Sequence, residues 1–287
     1  MRFSAVRAYS LLFFLSGATG LVYELLWVRV LYQTFGSTIQ SVTTVVAAYM
    51  GGLGLGAWLL GRRADRHPRP AALYGWLEIA IGVFGIASPA VLGLARHAYV
   101  GAAAALGAGS LGSLALRFGL AALALLVPTT LMGGTLPVLT RALTGTDRAA
   151  LKRWLGRLYA LNTLGAVVGA GLAGFVLIEH VGIRVSLWVT AAVNLALGAA
   201  AITLARPIPA LPATTEPGRE SGVSRNRDAL HTVALVLLGC TAFASLLDEI
   251  AWTRVLVMVV GGSTYAFTLV LVLLLNLLGA LKQVAAK

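Results

Sequence analysis

The chain has 287 residues, of which 59% are hydrophobic and only 11% are charged. Soluble domains carry about 25% charged residues, so this composition excludes an ordinary soluble fold. Apolar segments of roughly 18 residues or more recur, and each can cross a hydrocarbon core of about 30 Å. The formal net charge is +12, but the basic residues lie in short loops between apolar segments, a pattern that membrane topology explains better than nucleic-acid binding. We therefore predict an all-α, polytopic membrane protein.

The apolar segments predict about eight transmembrane helices. They cover approximately residues 8–34, 37–60, 71–94, 114–139, 154–178, 183–204, 231–260 and 263–281. The small residues between about 96 and 113 predict a connection after the third span, with a short surface helix as its regular element. Residues 206–228 are rich in Pro, Arg, Glu and Ser, which predicts a flexible linker. Pro128 and Pro137 predict a bend in the fourth span, because proline removes a backbone donor.

Lysine and arginine are distributed unevenly between the two sides of this topology. Seventeen of the 22 lie at one end of the spans. Only Arg96, Arg117 and Arg184 lie at the other end, and Arg29 and Arg254 lie within spans. Because cytoplasmic loops carry the excess of positive residues, we place both termini and the linker in the cytoplasm. The expected location is the bacterial inner membrane, as a multi-pass protein.

A signature in the first span is repeated in the seventh. Glu24, Trp27 and Arg29 are followed 225 residues later by Glu249, Trp252 and Arg254. The seventh span comes six spans after the first, an even number, so both copies have the same orientation, as in the two halves of major-facilitator transporters. The predicted domains are a six-helix repeat at 1–205, a linker at 206–229 and the first two helices of a second parallel repeat at 230–281. Residues 282–287 are interpreted as a tail or a truncation scar.

Four motifs carry a resemblance to a known family. They are Leu21–Glu24 with Trp27 and Arg29, Gly61–Arg66, Pro128–Pro137, and Tyr159–Ala166. These motifs resemble a bacterial membrane family of fused major-facilitator/spermidine-synthase proteins, and the resemblance extends from Ser16 to about Gly279. It implies a transporter-like membrane domain, often joined to a cytoplasmic aminopropyltransferase-like domain. No soluble α/β segment of that kind follows the last span, so we expect an incomplete polypeptide without spermidine-synthase activity.

Polar residues within the apolar spans are the candidates for a binding cavity. They are Glu24, Glu78, Asn162, Asp248 and Glu249. A charge at the bilayer centre costs about 2.5–3.5 kcal/mol on insertion scales, so such residues usually face a cavity or a partner. Two interpretations stay open for the carboxylates: ion pairs that fix helix packing, and groups that bind a cation or relay protons. Asn162 is equally suited to a helix–helix hydrogen bond and to a ligand contact.

A second group of residues is predicted to form structural ion pairs or a gate. It comprises Arg29, Arg62, Asp65, Arg66 and Arg254. Glu24 and Arg29 lie about 140° apart on one helix, so a pair between them is unfavourable and Arg29 is expected to reach the interface or another helix. The basic segment after span 2 resembles a short cytoplasmic loop of major-facilitator proteins, in which Asp65 pairs with an arginine or caps a helix. Plain determination of topology is the simpler interpretation of this segment.

Glycine patterns are interpreted as packing devices. Gly52 and Gly56 are spaced so that neighbouring helices can approach closely. The run Gly169–Gly174 matches the dinucleotide-binding pattern, but it lies inside an apolar span without the preceding strand that this motif requires. We expect helix packing here and no nucleotide.

Two functions are compatible with these observations. The first is a transporter-like module for polyamines or other organic cations. The second is a non-transporting membrane anchor for a cytoplasmic spermidine-synthase-like enzyme. We expect no cofactor, no metal site and no catalytic residues, so enzymatic activity of this chain is left uncertain and is disfavoured. The expected partners are the lipid bilayer, a small organic cation, and either a second copy of the chain or further C-terminal helices. Nucleic acid is not an expected partner.

Overall fold

The computed structural model describes residues 2–35, 39–107, 110–145 and 147–205, with isolated helical positions between 232 and 255. All regular elements in these ranges are helices. They are α1 (Arg2–Phe35), α2 (Ile39–Arg66), α3 (Pro70–Leu106), α4 (Leu111–Thr144), α5 (Arg148–Leu172), a π-helical segment (Ala173–Val181) and α6 (Ile183–Leu204). Six segments of this part of the chain are long and apolar enough to cross a membrane, which confirms an all-helical membrane protein. The seventh and eighth predicted spans fall on residues that are largely outside the described ranges and stay predictions.

The third span is longer than the sequence suggested. The predicted connection at 96–113 is wrong, because α3 continues to Leu106 and α4 begins at Leu111. Pro89 lies inside α3 without ending it. A proline leaves the carbonyl four residues earlier without its helical donor, and here the Ser88 hydroxyl donates a hydrogen bond to the Gly85 carbonyl at 2.9 Å. The hydroxyl thus replaces the missing backbone donor, and the helix continues beyond the proline.

The basic segment after span 2 also belongs to a helix. The sequence placed it in a loop beyond about residue 60, whereas α2 extends through Arg66. Lysine and arginine are compatible with a helix C-terminus because the macrodipole is negative at that end. The actual turn is confined to residues 67–69, and Pro70 occupies the first turn of α3.

The helices associate as three pairs: α1 with α5, α2 with α4, and α3 with α6. Glycines mediate each pair. A Cβ atom at Gly165 or Gly169 of α5 would collide with backbone carbonyls of α1, and one at Gly56 of α2 would collide with the Thr130 carbonyl of α4. A Cβ at Gly75 of α3 would lie 2.7 Å from the Gly198 carbonyl of α6. The predicted role of glycine in close helix packing is therefore confirmed.

The contacts between paired helices show their relative directions. Gly52 and Gly56 meet Thr129 and Thr130 in increasing order, so α2 and α4 run parallel. Helices α1 and α5 are also parallel. Helices α3 and α6 are antiparallel, because the contacting residue numbers fall along α6 as they rise along α3. If α1, α2 and α3 exchange places with α4, α5 and α6, respectively, the same three pairs of helices result. The glycine pair of α2 also has a counterpart in α5, at Gly165 and Gly169, 113 residues later.

Helix α1 occupies the centre of the bundle. In its most apolar window 61% of the residues are buried, compared with 28–44% for the other five spans. It contacts every other helix of the described ranges. The largest fully buried side chains are concentrated on it, including Phe13, Tyr23, Leu26 and Trp27. Any polar group that α1 carries inward is therefore shielded from lipid by its neighbours.

Candidate functional site: a buried carboxylate at the junction of α1, α3 and α6

Glu78 of α3 is fully buried, at 0% exposure. Its two carboxylate oxygens accept hydrogen bonds from two other helices. The Ser16 hydroxyl of α1 donates to Oε1 at 2.5 Å, and the Asn194 amide of α6 donates to Oε2 at 2.6 Å. One carboxylate thus joins three helices in the interior of the bundle.

Glu78 is not part of an ion pair within the described ranges. A salt bridge elsewhere joins Arg141 and Asp65. The Tyr74 hydroxyl, one helical turn before Glu78, lies against the carboxylate and the Ser16 hydroxyl, although its orientation falls short of a hydrogen bond. The Asn194 Oδ1 atom is buried without a partner in the described part of the chain. The junction therefore has spare hydrogen-bonding capacity beside a carboxylate that no arginine or lysine of these residues neutralises.

Backbone packing brings Asn194 to Glu78. Gly75 and Gly82 lie on α3 about one turn before and after Glu78. Side chains at these two positions would press against Gly198 and Ala191 of α6. Because both positions lack a side chain, the helix axes can approach closely, and the short asparagine side chain spans the remaining gap. The glycines are thus the local cause of the interhelical hydrogen bond.

A second buried carboxylate, Glu24, lies further along α1. It is 3% exposed and follows Ser16 by eight residues, which is about 12 Å along a helix axis. Tyr49 of α2 lies close enough to be affected by the Glu24 charge, and its hydroxyl donates to the Gly20 carbonyl at 3.2 Å. Glu24 and Glu78 therefore mark two levels of one helical core.

Aromatic side chains lie on α1 near Glu24. Tyr23 and Trp27 stack with ring centroids 4.9 Å apart and an interplanar angle of 19°, and Phe84 of α3 meets Trp27 edge-on at 5.8 Å. Both the Tyr23 hydroxyl and the Trp27 indole nitrogen are buried without a hydrogen-bond partner among the described residues. Stacked aromatic faces beside carboxylates are the chemistry that binds organic cations.

The remaining cavity candidates lie elsewhere. Asn162 is half-buried at the contact of α1 and α5, and its amide donates to the Phe13 carbonyl at 3.4 Å. Asp248 is one of the isolated described positions, and Glu249 falls outside the described residues. The placement of Glu249 in a binding cavity therefore stays a prediction.

The predicted ion-pair residues separate into three environments. Asp65 pairs with Arg141 of α4, with Nε and Oδ1 3.8 Å apart; the sequence anticipated an arginine partner but did not identify it. Arg62 stacks over the Trp58 ring, 4.4 Å from its centroid, and Arg66 is exposed near the end of α2. Arg29 is partly exposed and forms no ion pair with Glu24 in the described ranges, and Arg254 lies outside them.

Sequence reasoning missed three members of the Glu78 cluster. Ser16, Tyr74 and Asn194 were not selected as candidates. Two signals could have found them: Tyr74 precedes Glu78 by four residues and therefore shares its helix face, and an asparagine in an apolar span usually faces another helix. The partner of each could not be identified without the tertiary structure. No group of three or more metal-ligating side chains occurs in the described residues.

Comparison with known proteins supplies one relative. The chain is similar to "Polyamine aminopropyltransferase 2" of Streptomyces coelicolor. The two are 30% identical over 189 residues, which is 66% of this chain and 32% of the relative. The chain thus spans about a third of the relative's length. No family model matches the chain, and no solved structure matches it significantly. The predicted relation to spermidine-synthase-like proteins is supported at this level of similarity.

Proposed function

We propose that the chain is a transporter-like membrane module whose polar core binds an organic cation, with polyamines as the leading class. The observation that carries the proposal is Glu78, a carboxylate buried within an apolar bundle without an ion-pair partner in the described ranges. An intramembrane carboxylate is costly, and it usually marks an ion or substrate pathway. A cationic ligand would supply the missing counter-charge.

The arrangement of the two carboxylates supports an elongated cation. Glu24 and Ser16, the partner of Glu78, are about 12 Å apart along α1, and the stacked Tyr23 and Trp27 rings belong to residues on either side of Glu24. A linear polyamine carries ammonium groups separated by flexible methylene chains, so it can reach two anionic sites and place apolar segments against aromatic rings. The relative named as a polyamine aminopropyltransferase supports the same class of ligand.

The helix pairing supports a major-facilitator-like arrangement. Transporters of that type contain inverted three-helix repeats within each six-helix half. Here α1–α3 and α4–α6 can be exchanged without altering the set of paired helices. In this proposal the described helices are one such half, and Glu249 enters the same cavity from a second, parallel repeat.

Uptake into proteoliposomes tests the transport function. The full 287-residue chain is reconstituted and exposed to labelled spermidine, alongside Glu78→Gln and the matched control Glu179→Gln, which changes an exposed carboxylate at the end of the π-helical segment. We expect saturable uptake that Glu78→Gln lowers at least about tenfold, since a hydrogen-bonded charge contributes about 1.5–3 kcal/mol. The control should retain uptake.

The second candidate function is a membrane anchor for a cytoplasmic enzyme. It is favoured by the relative's name, which describes an enzyme of which this chain covers only 32%. A folded wild-type chain that binds and transports no polyamine, but retains an aminopropyltransferase domain at the membrane, would support the anchor and reject the transporter.

A further inference from the structure

The end of α2 forms a basic cavity that the proposed transport function does not use. The cavity has a volume of about 370 Å³ and is lined by Arg62, Arg63, Arg66, His67 and Pro68. All three arginines are exposed, and none of them takes part in the salt bridge found in the described ranges. The nearby carboxylate, Asp65, is engaged by Arg141 instead. Three guanidinium groups are thus available at one concave site.

The turn after α2 fixes the shape of this cavity. The His67 backbone amide donates to the Ala64 carbonyl at 3.3 Å, and the Arg69 backbone amide donates to His67 Nδ1 at 3.1 Å. Since Nδ1 accepts a hydrogen bond, the ring proton of the neutral imidazole lies on Nε2, which is then a donor. The site therefore combines three guanidinium groups with an oriented imidazole, a donor set suited to phosphate oxygens.

The depth of the cavity in the membrane favours a lipid phosphate. Large apolar side chains directly before the arginines are exposed on the same helix. They are Leu55, Trp58 and Leu59, at 37%, 53% and 43% exposure. Such residues face hydrocarbon in a membrane-spanning bundle, so the cavity one turn beyond them lies at headgroup level. Arg62 stacked over Trp58 is an arrangement suited to this boundary, where amphipathic aromatic rings concentrate.

We propose that Arg62, Arg63, Arg66 and His67 form a binding site for the phosphate headgroup of an anionic phospholipid. The acyl chains of the lipid lie along the exposed apolar face of α2, and the guanidinium groups contact the phosphate oxygens. The positive-inside rule places this end of α2 at the cytoplasmic leaflet. Basic pockets of membrane helices on that side are suited to anionic lipid headgroups.

Short-chain lipids provide the test. Binding of dioctanoyl phosphatidylglycerol to the delipidated 287-residue chain is measured by native mass spectrometry, with dioctanoyl phosphatidylcholine and inorganic phosphate as comparison ligands. The variant Arg62→Gln/Arg63→Gln/Arg66→Gln removes the site. The control Lys152→Gln/Arg153→Gln/Arg157→Gln removes the same charge from the exposed start of α5.

Each basic residue near a lipid surface contributes about a fivefold gain in affinity, so the first variant should weaken phosphatidylglycerol binding about 100-fold. The control should change it less than about fivefold. Equal losses of affinity in both variants would show that general surface charge explains the binding, and would overturn the proposal. Equally effective binding by inorganic phosphate would reject the lipid assignment in favour of a soluble anion. If the first variant loses its helical circular dichroism, Arg63→Gln alone gives the same comparison with about a fivefold expected loss.

Discussion

The two inward faces of α1 are built by opposite means. Toward α5, Gly17 lies against Asn162, and Gly165 and Gly169 lie against the backbone of Phe14 and Ala18. Toward α3 and α6, the adjacent residue Ser16 joins a carboxylate and an amide. Consecutive helix residues point about 100° apart, so one residue step separates a dry packing surface from a polar junction.

The proposed function assigns the two faces different roles, helix packing for the first and binding for the second. Helices in a bilayer associate through van der Waals packing of small residues, and the α1–α5 contact achieves this without a charge. The α3–α6 contact also has glycines at Gly75, Gly82 and Gly198. Glycine packing therefore also holds α3 against α6, and the proposed function assigns the buried carboxylate a role in binding.

The largest expected effect on stability is at the contact of α1 and α5. Gly165→Ala places a methyl group against the Phe14 backbone carbonyl, which cannot rotate away as a side chain could. We expect a loss of about 3 kcal/mol in the free energy of unfolding, at the upper end of overpacking costs. Gly171→Ala in the same helix has open space around the new Cβ and should be neutral or slightly stabilising. Equal unfolding midpoints in detergent for the two variants would contradict the close backbone contact.

A smaller effect is expected at the polar junction. Asn194→Ala removes the hydrogen bond to Glu78 and should cost about 1–2 kcal/mol, because interhelical hydrogen bonds in membranes are modest even when charged. Asn162→Ala loses only a 3.4 Å contact with a backbone carbonyl and should cost less. A double-mutant cycle of Asn194→Ala with Glu78→Ala should be non-additive. Additive losses would show that the two side chains do not interact.

The smallest effect is expected for Tyr23→Phe. The Tyr23 hydroxyl is buried without a hydrogen-bond partner among the described residues, so its removal should change the free energy of unfolding by less than about 0.5 kcal/mol. A Cβ at Gly85 would meet this hydroxyl, so Tyr23→Phe should also rescue part of the instability of Gly85→Ala. A loss above about 1 kcal/mol in Tyr23→Phe would reveal a bound partner for the hydroxyl. It would place this residue with the polar junction rather than with the packing core.

The first six apolar helices could be predicted from the sequence. Apolar length gave their approximate positions, and the Ile183–Leu204 helix agrees closely with the predicted bounds. The errors concern the ends of helices. A run of small residues after about residue 95 suggested a connection, but α3 continues to Leu106.

The candidate site was only partly accessible from the sequence. Glu78 could be selected because a carboxylate in an apolar span is unusual. Its partners, Ser16 and Asn194, lie 62 and 116 residues away in the chain, and no local periodicity links them. The same limit applies to the Asp65–Arg141 pair. An arginine partner was expected for Asp65, but four other arginines lie within four residues of it in the sequence. Contacts between helices are set by packing, which a single sequence does not encode position by position.

The most direct test is spermidine affinity measured together with stability on the same monodisperse samples. Equilibrium binding is determined for the wild-type chain, Glu78→Gln and the control Glu179→Gln, and the free energy of unfolding is measured for each. If Glu78 supplies the counter-charge for a cation, Glu78→Gln should raise the dissociation constant at least about tenfold while the folded fraction stays high and the control binds normally. An unchanged dissociation constant with lowered stability would contradict the account and leave Glu78 as a packing residue.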